Sequence, residues 1–327
     1  MKRLHLFPEN RIHHTWNKDL EPVLEVDPGD TVFYETREAT NNQITPTSTT
    51  ESLADLDWAS FYPLAGPLYV RGAQPGDTLA IDVLDVQHRG WGWTAILPGF
   101  GVLPEDFSDP HLRIWEVHDG KFAYMNDSVR VPLAPFAGTM GVAAAVEGDL
   151  EPMPPRHVGG NMDARDITTG TTLYLPVEVE GGLFSIGDGH LAQGDGEVCV
   201  SAIEAALGIA CRFDVIKGQT IRAPEIETRP GSLTPFGDEQ GFFATMGVAD
   251  DLMVATKEAV RNMVDRLGTL YGLAPEDAYV LASVAADLKI TEVVDPNWIV
   301  SLYMPRAAFL SPARRPTRLS EEGNPLA

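Results

Sequence analysis

Cysteine, lysine and long apolar runs are scarce in this 327-residue chain. The two cysteines, Cys199 and Cys211, cannot build a disulfide framework, which excludes the stapled secreted scaffolds and leaves reduced, buried thiols as the expectation. Nowhere do eighteen apolar residues run together, and the N-terminal MKRLHLFPENRIHH holds no apolar stretch long enough for the h-region of a signal peptide. No membrane span is expected, and the chain is assigned to the cytoplasm. Positive charge is short as well: 24 lysines and arginines face 47 acids, for a formal charge of -23. A field of that sign repels phosphate backbones and anionic lipid surfaces, so nucleic acid and membranes are excluded as partners.

Apolar and charged residues, at 44% and 22%, stand in ordinary globular proportion, and the length suits one large domain or two of usual size. Two segments share one device, DPGDTVFYET from Asp27 and QPGDTLAIDV from Gln74, in which Pro-Gly suits the centre of a type II turn and an alternating apolar run follows. Apolar residues at spacing two from Ile203 to Val215 predict one long strand, with Glu204, Arg212 and Asp214 on its other face. TTLYLPVEVEG and LFSIGDG read as two further strands, with Pro176 marking an edge or a bulge. From Asp250, a plausible N-cap, the period changes to helical, with Leu252, Ala255, Ala259, Met263, Leu267 and Leu270 in one stripe. APEDAYVLASVAAD predicts a second helix begun by Pro275, followed by strands at LKIT and WIVSLYMP and a frayed tail. Strands first and helices last imply a mainly β fold, a sandwich or barrel-like body with an α+β C-terminal portion. The expected division is a β-rich body over 1–220 carrying the site loops, and 221–327 packed on it.

The most unusual stretch is FSIGDGHLAQGDGE at 184–197, with three acids, a histidine and four glycines in fourteen residues. Each glycine costs a helix roughly 1 kcal/mol, so a loop is expected there. It is preceded by a polar stretch from Arg156, RHVGGNMDARDITTG, carrying Asp163, Arg165 and Asp166. If the intervening strands are neighbours, both loops converge on one pocket. GGNMDARDITTGTTLYLPVEVEGGLFSIGDGHLAQGDGEVCVSAIE resembles the signature of the acetamidase/formamidase family of amide hydrolases, and PLAGPLYVRGAQPGDTLAIDVLDV, GVLPEDF and DAYVLASVAADLKIT are similar to other blocks of that family. The resemblance covers most of the chain. It implies hydrolysis of short aliphatic amides and a homo-oligomer, and the chain length suits the acetamidase branch.

Amide hydrolysis needs a polarised carbonyl, an activated water and a proton donor to nitrogen, and a divalent metal supplies the first two. Asp188 and His190 offer an oxygen and a nitrogen ligand, a mixture suited to zinc. Glu38, in a segment that resembles a family loop where Asp commonly stands, is the candidate third ligand, with Asp163 in reserve. Glu197 is the candidate general base and acid, Gln193 or nearby glycine amides the binder of the carbonyl oxygen, and Asp195 a further candidate acid. The Asp-Gly and Gly-Asp pairs are equally good turn chemistry, so Asp188 and Asp195 have a structural reading too. His13-His14 reads as structural, since adjacent strand residues point to opposite faces, and Trp91 with Trp93 as packing. Two other functions stay open: a thiol-dependent amidase using Cys199, and a non-catalytic β-sandwich module binding a small ligand or sugar.

Overall fold

A computed structural model describes residues 2–100, 108–118, 120–126, 129–193, 197, 200–230, 241–273, 287–306 and 309. Both Pro-Gly segments form the expected turns: Asp30 N donates to Asp27 O and Asp77 N to Gln74 O, each at 3.0 Å, with Gly29 and Gly76 at φ +90° and +95°. Each turn launches a strand of the same sheet.

That sheet has nine strands, in the order β1 (Leu4–Leu6), β4 (Thr31–Glu35), β15 (Leu207–Ile216), β6 (Thr78–His88), β13 (Thr172–Pro176), β16 (Glu225–Glu227), β17 (Phe242–Ala249), β19 (Trp298–Pro305) and β18 (Asp287–Glu292). A six-stranded sheet runs β12 (Gly159–Asn161), β11 (Phe136–Gly141), β14 (Phe184–His190), β5 (Leu64–Val70) and β2 (Ile12–His13), with β3 (Leu24–Val26) also on β5. A four-stranded meander joins β10 (Val129–Pro132), β9 (Phe122–Asn126), β8 (His111–Val117) and β7 (Trp91–Ile96). The architecture is mainly β, and β16 to β19 extend the nine-stranded sheet across the expected boundary near residue 220.

The two larger sheets bury one shared core, in which Val32, Tyr34, Ile81, Leu173 and Phe213 of the first meet Leu68, Met140, Phe184 and Ile186 of the second. Burial of this apolar surface, at about 25 cal/mol per Å², is the main force holding the sheets face to face. Phe184 sits at its centre, with its ring 5.0 Å from Phe213 and 6.3 Å from Tyr34. The helix α1 (Leu252–Tyr271) packs Ala255, Ala259, Met263, Leu267 and Leu270 on Phe243, Val300, Leu302 and Met304 of the nine-stranded sheet, the stripe read from its period.

Four local expectations change. The cap of α1 is Asp251, whose carboxylate accepts from Val254 N at 2.9 Å, one residue past Asp250. The long strand begins at Leu207, and the chain before it makes only single bridges from Glu204 to Trp93 and His190. Pro176 marks neither an edge nor a bulge: it ends β13, a central strand, beyond the last residue paired to β16, so its missing N–H breaks nothing there. The glycine-rich stretch stays a strand through His190. Its glycines are tolerated because they face close backbone: a Cβ on Gly187 would lie 2.6 Å from Pro63 O, and one on Gly189 would strike Ala205 O. The second expected helix and the tail lie outside the described residues.

Because Phe184 is fully buried between both sheets, Phe184→Ala is expected to lower stability by about 3–5 kcal/mol, with Phe184→Leu costing less than half of that. Urea unfolding reads the difference. Equal, small losses would contradict the packing.

Candidate active site

β14 alternates Gly187, Asp188, Gly189 and His190, so the acid and the imidazole share the face opposite the two glycines. Asp163 follows β12, the strand on the far side of β11 from β14. Glu204 arrives from the bridge that precedes β15. The His190 Nε2 lies 3.3 Å from Glu204 Oε2, 3.5 Å from Asp188 Oδ1 and 4.0 Å from Asp163 Oδ1. Ligand atoms of Asp188, His190 and Glu204 lie within 4.8 Å of one another, as do those of Asp163, His190 and Glu197. Each of these five side chains is at most 7% exposed.

Gln193 decides how the imidazole stands. Its Nε2 donates to Asp163 O at 2.7 Å, so its Oε1 must be the atom 2.9 Å from His190 Nδ1. A carbonyl oxygen only accepts, so Nδ1 carries the proton and Nε2 is turned toward the carboxylates. Phe136 closes the other side of the ring, edge-on at 5.0 Å. Asn161 ties the acids together: its Nδ2 donates to Asp163 Oδ2 at 3.0 Å and to Asp295 Oδ2 at 2.8 Å, while its Oδ1 accepts from Thr139 Oγ1 at 2.7 Å. Both of its N–H donors are used.

The electrostatics follow from burial and crowding. Burial, then the charge of Asp188, pushes the Asp163 carboxyl well above its ordinary range. Burial and the neighbouring Asp163 do the same to Glu197. Burial raises Glu204 to about 7 against the pull of His190, and burial with Glu292 raises Asp295 to about 8. Burial disfavours charge on His190, yet Glu204 and Asp188 outweigh it and hold its pKa well above the usual value. Strain gathers here too. Asp163, Asp188, Glu197, Tyr62 and Val200 all line one cavity at φ between +44° and +85°. Such backbone costs roughly 1–3 kcal/mol per residue and persists only where the surroundings enforce it.

Of the residues expected from sequence, the structure gathers Asp163, Asp188, His190 and Glu197. Gln193 positions His190 through Oε1 and gives one of its two Nε2 hydrogens to Asp163 O. Glu38 is buried apart from the cluster, where its carboxylate accepts from Thr40 N, Thr40 Oγ1, Asn42 N and Trp93 Nε1 and braces its own loop. Those four donors leave it poorly placed to serve as a ligand. Asp195 and Cys199 lie outside the described residues. Cys211 is buried in the sheet core, and burial drives its thiol pKa far up, which rules it out as a nucleophile. His13 bonds Thr15 O and Ser185 Oγ, and His14 bonds Phe61 O, which fits a structural role for the pair. Trp93 packs in a small core and also lines the cavity. The sequence reading missed Glu204, Asn161 and Asp295; the one signal for Glu204 was a lone acid at the head of an apolar run.

Three buried oxygens, Asp163 Oδ1, Asp188 Oδ1 and Glu204 Oε2, have no hydrogen-bond partner among the described residues. Leaving such atoms unpaired costs on the order of 1–3 kcal/mol each, more when charged. Carboxylate oxygens without donors, aimed at the same imidazole nitrogen, make a donor set that fits a divalent cation. Gly138 makes room for it: a Cβ there would strike Asp163 Oδ1 and stand 2.9 Å from both Asp188 Oδ2 and His190 Cε1. Gly138→Ala is therefore expected to weaken any divalent-cation binding, with zinc as the probe, tenfold or more at unchanged circular dichroism. A calorimetric titration checks this, and unchanged affinity would contradict the geometry.

A sequence model of the acetamidase/formamidase family matches residues 5–150 and 144–311. A formamidase from Methylophilus methylotrophus is 27% identical, covering 92% of this chain and 90% of its own. Among solved structures, a predicted acetamidase/formamidase from Thermoanaerobacter tengcongensis superposes with TM-score 0.86 at 30% identity, covering 93% and 96% of the two chains. An acetamidase from Bacillus halodurans does so with TM-score 0.83 at 32% identity over 92% and 96%. With the family model matching nearly end to end and the fold shared with these solved structures, the chain belongs to the acetamidase/formamidase family.

Proposed function

We propose that this protein is a metal-dependent amidohydrolase that releases ammonia from formamide and acetamide. The observation that carries the reading is the set of buried carboxylate oxygens around His190 Nε2, without a hydrogen-bond partner among the described residues, at the wall of a small cavity. Asp188, His190 and Glu204 would hold the cation, with Asp163 and Glu197 in reach of the same imidazole. The donor set, oxygen and imidazole nitrogen without thiolate, suits zinc. Bound there, the ion supplies Lewis acidity, polarising an amide carbonyl and making water more acidic.

The chain's own residues supply the rest. Glu197, buried beside Asp163, has a carboxyl whose raised pKa suits it to take a proton from water and return it to the amide nitrogen as ammonia departs. Gln193 keeps the His190 Nδ1 proton fixed, so the ring presents the same atom throughout. Asn161 holds Asp163 and Asp295 at a set separation and prevents the acids from relaxing away from one another. An aromatic rim borders the cavity, in which Trp58 stacks on Phe61 at 4.5 Å and lies 6.3 Å from Phe100.

The cavity measures about 40 Å³. A single water needs roughly 10–15 Å³ on the same measure, so the space takes about three to four atoms of that size. Formamide has three non-hydrogen atoms and acetamide four. Ammonia release is thus expected to fall at least tenfold from acetamide to propionamide. Chelation should abolish turnover, zinc should restore it, and Glu204→Gln should lose at least a hundredfold in kcat. Full activity after chelation, or sensitivity to iodoacetamide alone, would overturn the metal reading in favour of the thiol.

A further inference from the structure

A second cavity, about 510 Å³, is lined by Arg156, His157, Arg222, Glu258, Arg261 and Asn297. On a chain of formal charge -23 with 24 basic residues, three guanidiniums in one groove are a local reversal of sign. Their charges are only partly answered. Arg222 Nη1 pairs with Asp265 Oδ2 at 3.3 Å, and His157 Nε2 contacts Glu178 Oε1 at 2.6 Å. Arg156 donates from Nη1 to Pro154 O at 2.8 Å and, among the described residues, has no ion pair. Burial pulls its pKa down against the charge of Glu151, so it keeps its charge at a cost. Arg261 is exposed and has no ion pair or hydrogen bond among the described residues. Glu258, three residues before it on α1, is the acid in the lining and offsets one charge of three.

The groove and the amidase cavity are lined by different residues of the same two chain segments. Asn297 Nδ2 donates to Pro155 O at 3.1 Å, which ties its two loops together. Two residues from each of those atoms, Met153 and Asp295 line the amidase cavity. Arg156 also exchanges backbone hydrogen bonds with Gly159 at 2.9 and 3.0 Å, and Gly159 opens β12, the strand that ends at Asn161. A ligand that pulls on Arg156 therefore pulls on the segment that spaces Asp163 from Asp295.

We propose that this groove binds a small, multiply charged anion bearing phosphoryl or carboxylate groups, and that its occupancy is transmitted to the amidase cavity through residues 153–161 and 295–297. Guanidinium forks match such groups with paired hydrogen bonds, and the volume admits a molecule up to the size of a mononucleotide. The transmission rests on the amidase reading above; the binding does not.

The test uses the full-length, zinc-loaded protein at fixed ionic strength. Calorimetric titrations with inorganic phosphate, succinate and AMP separate the phosphoryl, carboxylate and nucleotide sources, with sodium chloride as the control for bulk charge. Saturable binding of at least one probe is expected, weakened tenfold or more in Arg261→Ala and further in the double variant R222A/R261A, whose side chains are exposed and leave the fold intact. At saturation the KM or kcat for acetamide should shift at least twofold in the wild type and not in the double variant. Absence of saturable binding by all three probes, or equal binding by the double variant, would overturn the site. A changed oligomeric state in R222A/R261A without any anion response would assign the groove to subunit contact and overturn it too. Binding without a kinetic shift would overturn the transmission, and because calorimetry needs no turnover, a failure of the amidase reading is seen separately.

Discussion

Buried carboxylates packed around one imidazole repel one another, and most of the site's construction answers that repulsion. Asp163, Glu197, Glu204 and Asp295 all have raised pKa values, each driven first by burial. His190 offsets part of the charge, while three oxygens have no hydrogen-bond partner among the described residues. A chain that only needed a stable core would gain by replacing such a cluster with apolar side chains. Its retention at the wall of a cavity makes sense if a cation completes it.

Holding that cluster in place is the work of the sandwich. Phe184 anchors the start of β14 between the two sheets, and His190 ends the same strand. The strand is thus clamped at one end by apolar packing and ends in chemistry at the other. Gly138, opposite Asp188 on β11, leaves the volume that the acids and ring occupy. The left-handed backbone at Asp163, Asp188 and Glu197 is strain that the surroundings hold where the acids meet.

Periodicity revealed what depends on near neighbours. The stripe of α1, the twin Pro-Gly turns and the strand nature of β13, β14 and much of β15 follow local rules, and the Asp188 and His190 pair was visible as an oxygen and a nitrogen donor on one short stretch. Glu204 was not visible, because a period-two pattern extended back to Ile203 placed it on an outer face, whereas the strand starts at Leu207 and the chain turns Glu204 inward. Asp295 meets Asn161 across 134 positions of sequence, beyond any local pattern. The hold of Gln193 on the His190 ring was not visible either, because it depends on the ring's orientation at the strand end. Glu38 shows the converse: an acid in a family-like loop, taken up by its own loop amides and an indole.

The central claim is that Asp188, His190 and Glu204 close around one divalent cation. X-ray absorption at the zinc edge of the active protein measures this most directly. The expected spectrum shows a nitrogen and oxygen shell with a single imidazole and no sulfur. A sulfur ligand, or full activity in protein shown to hold no metal, would contradict it.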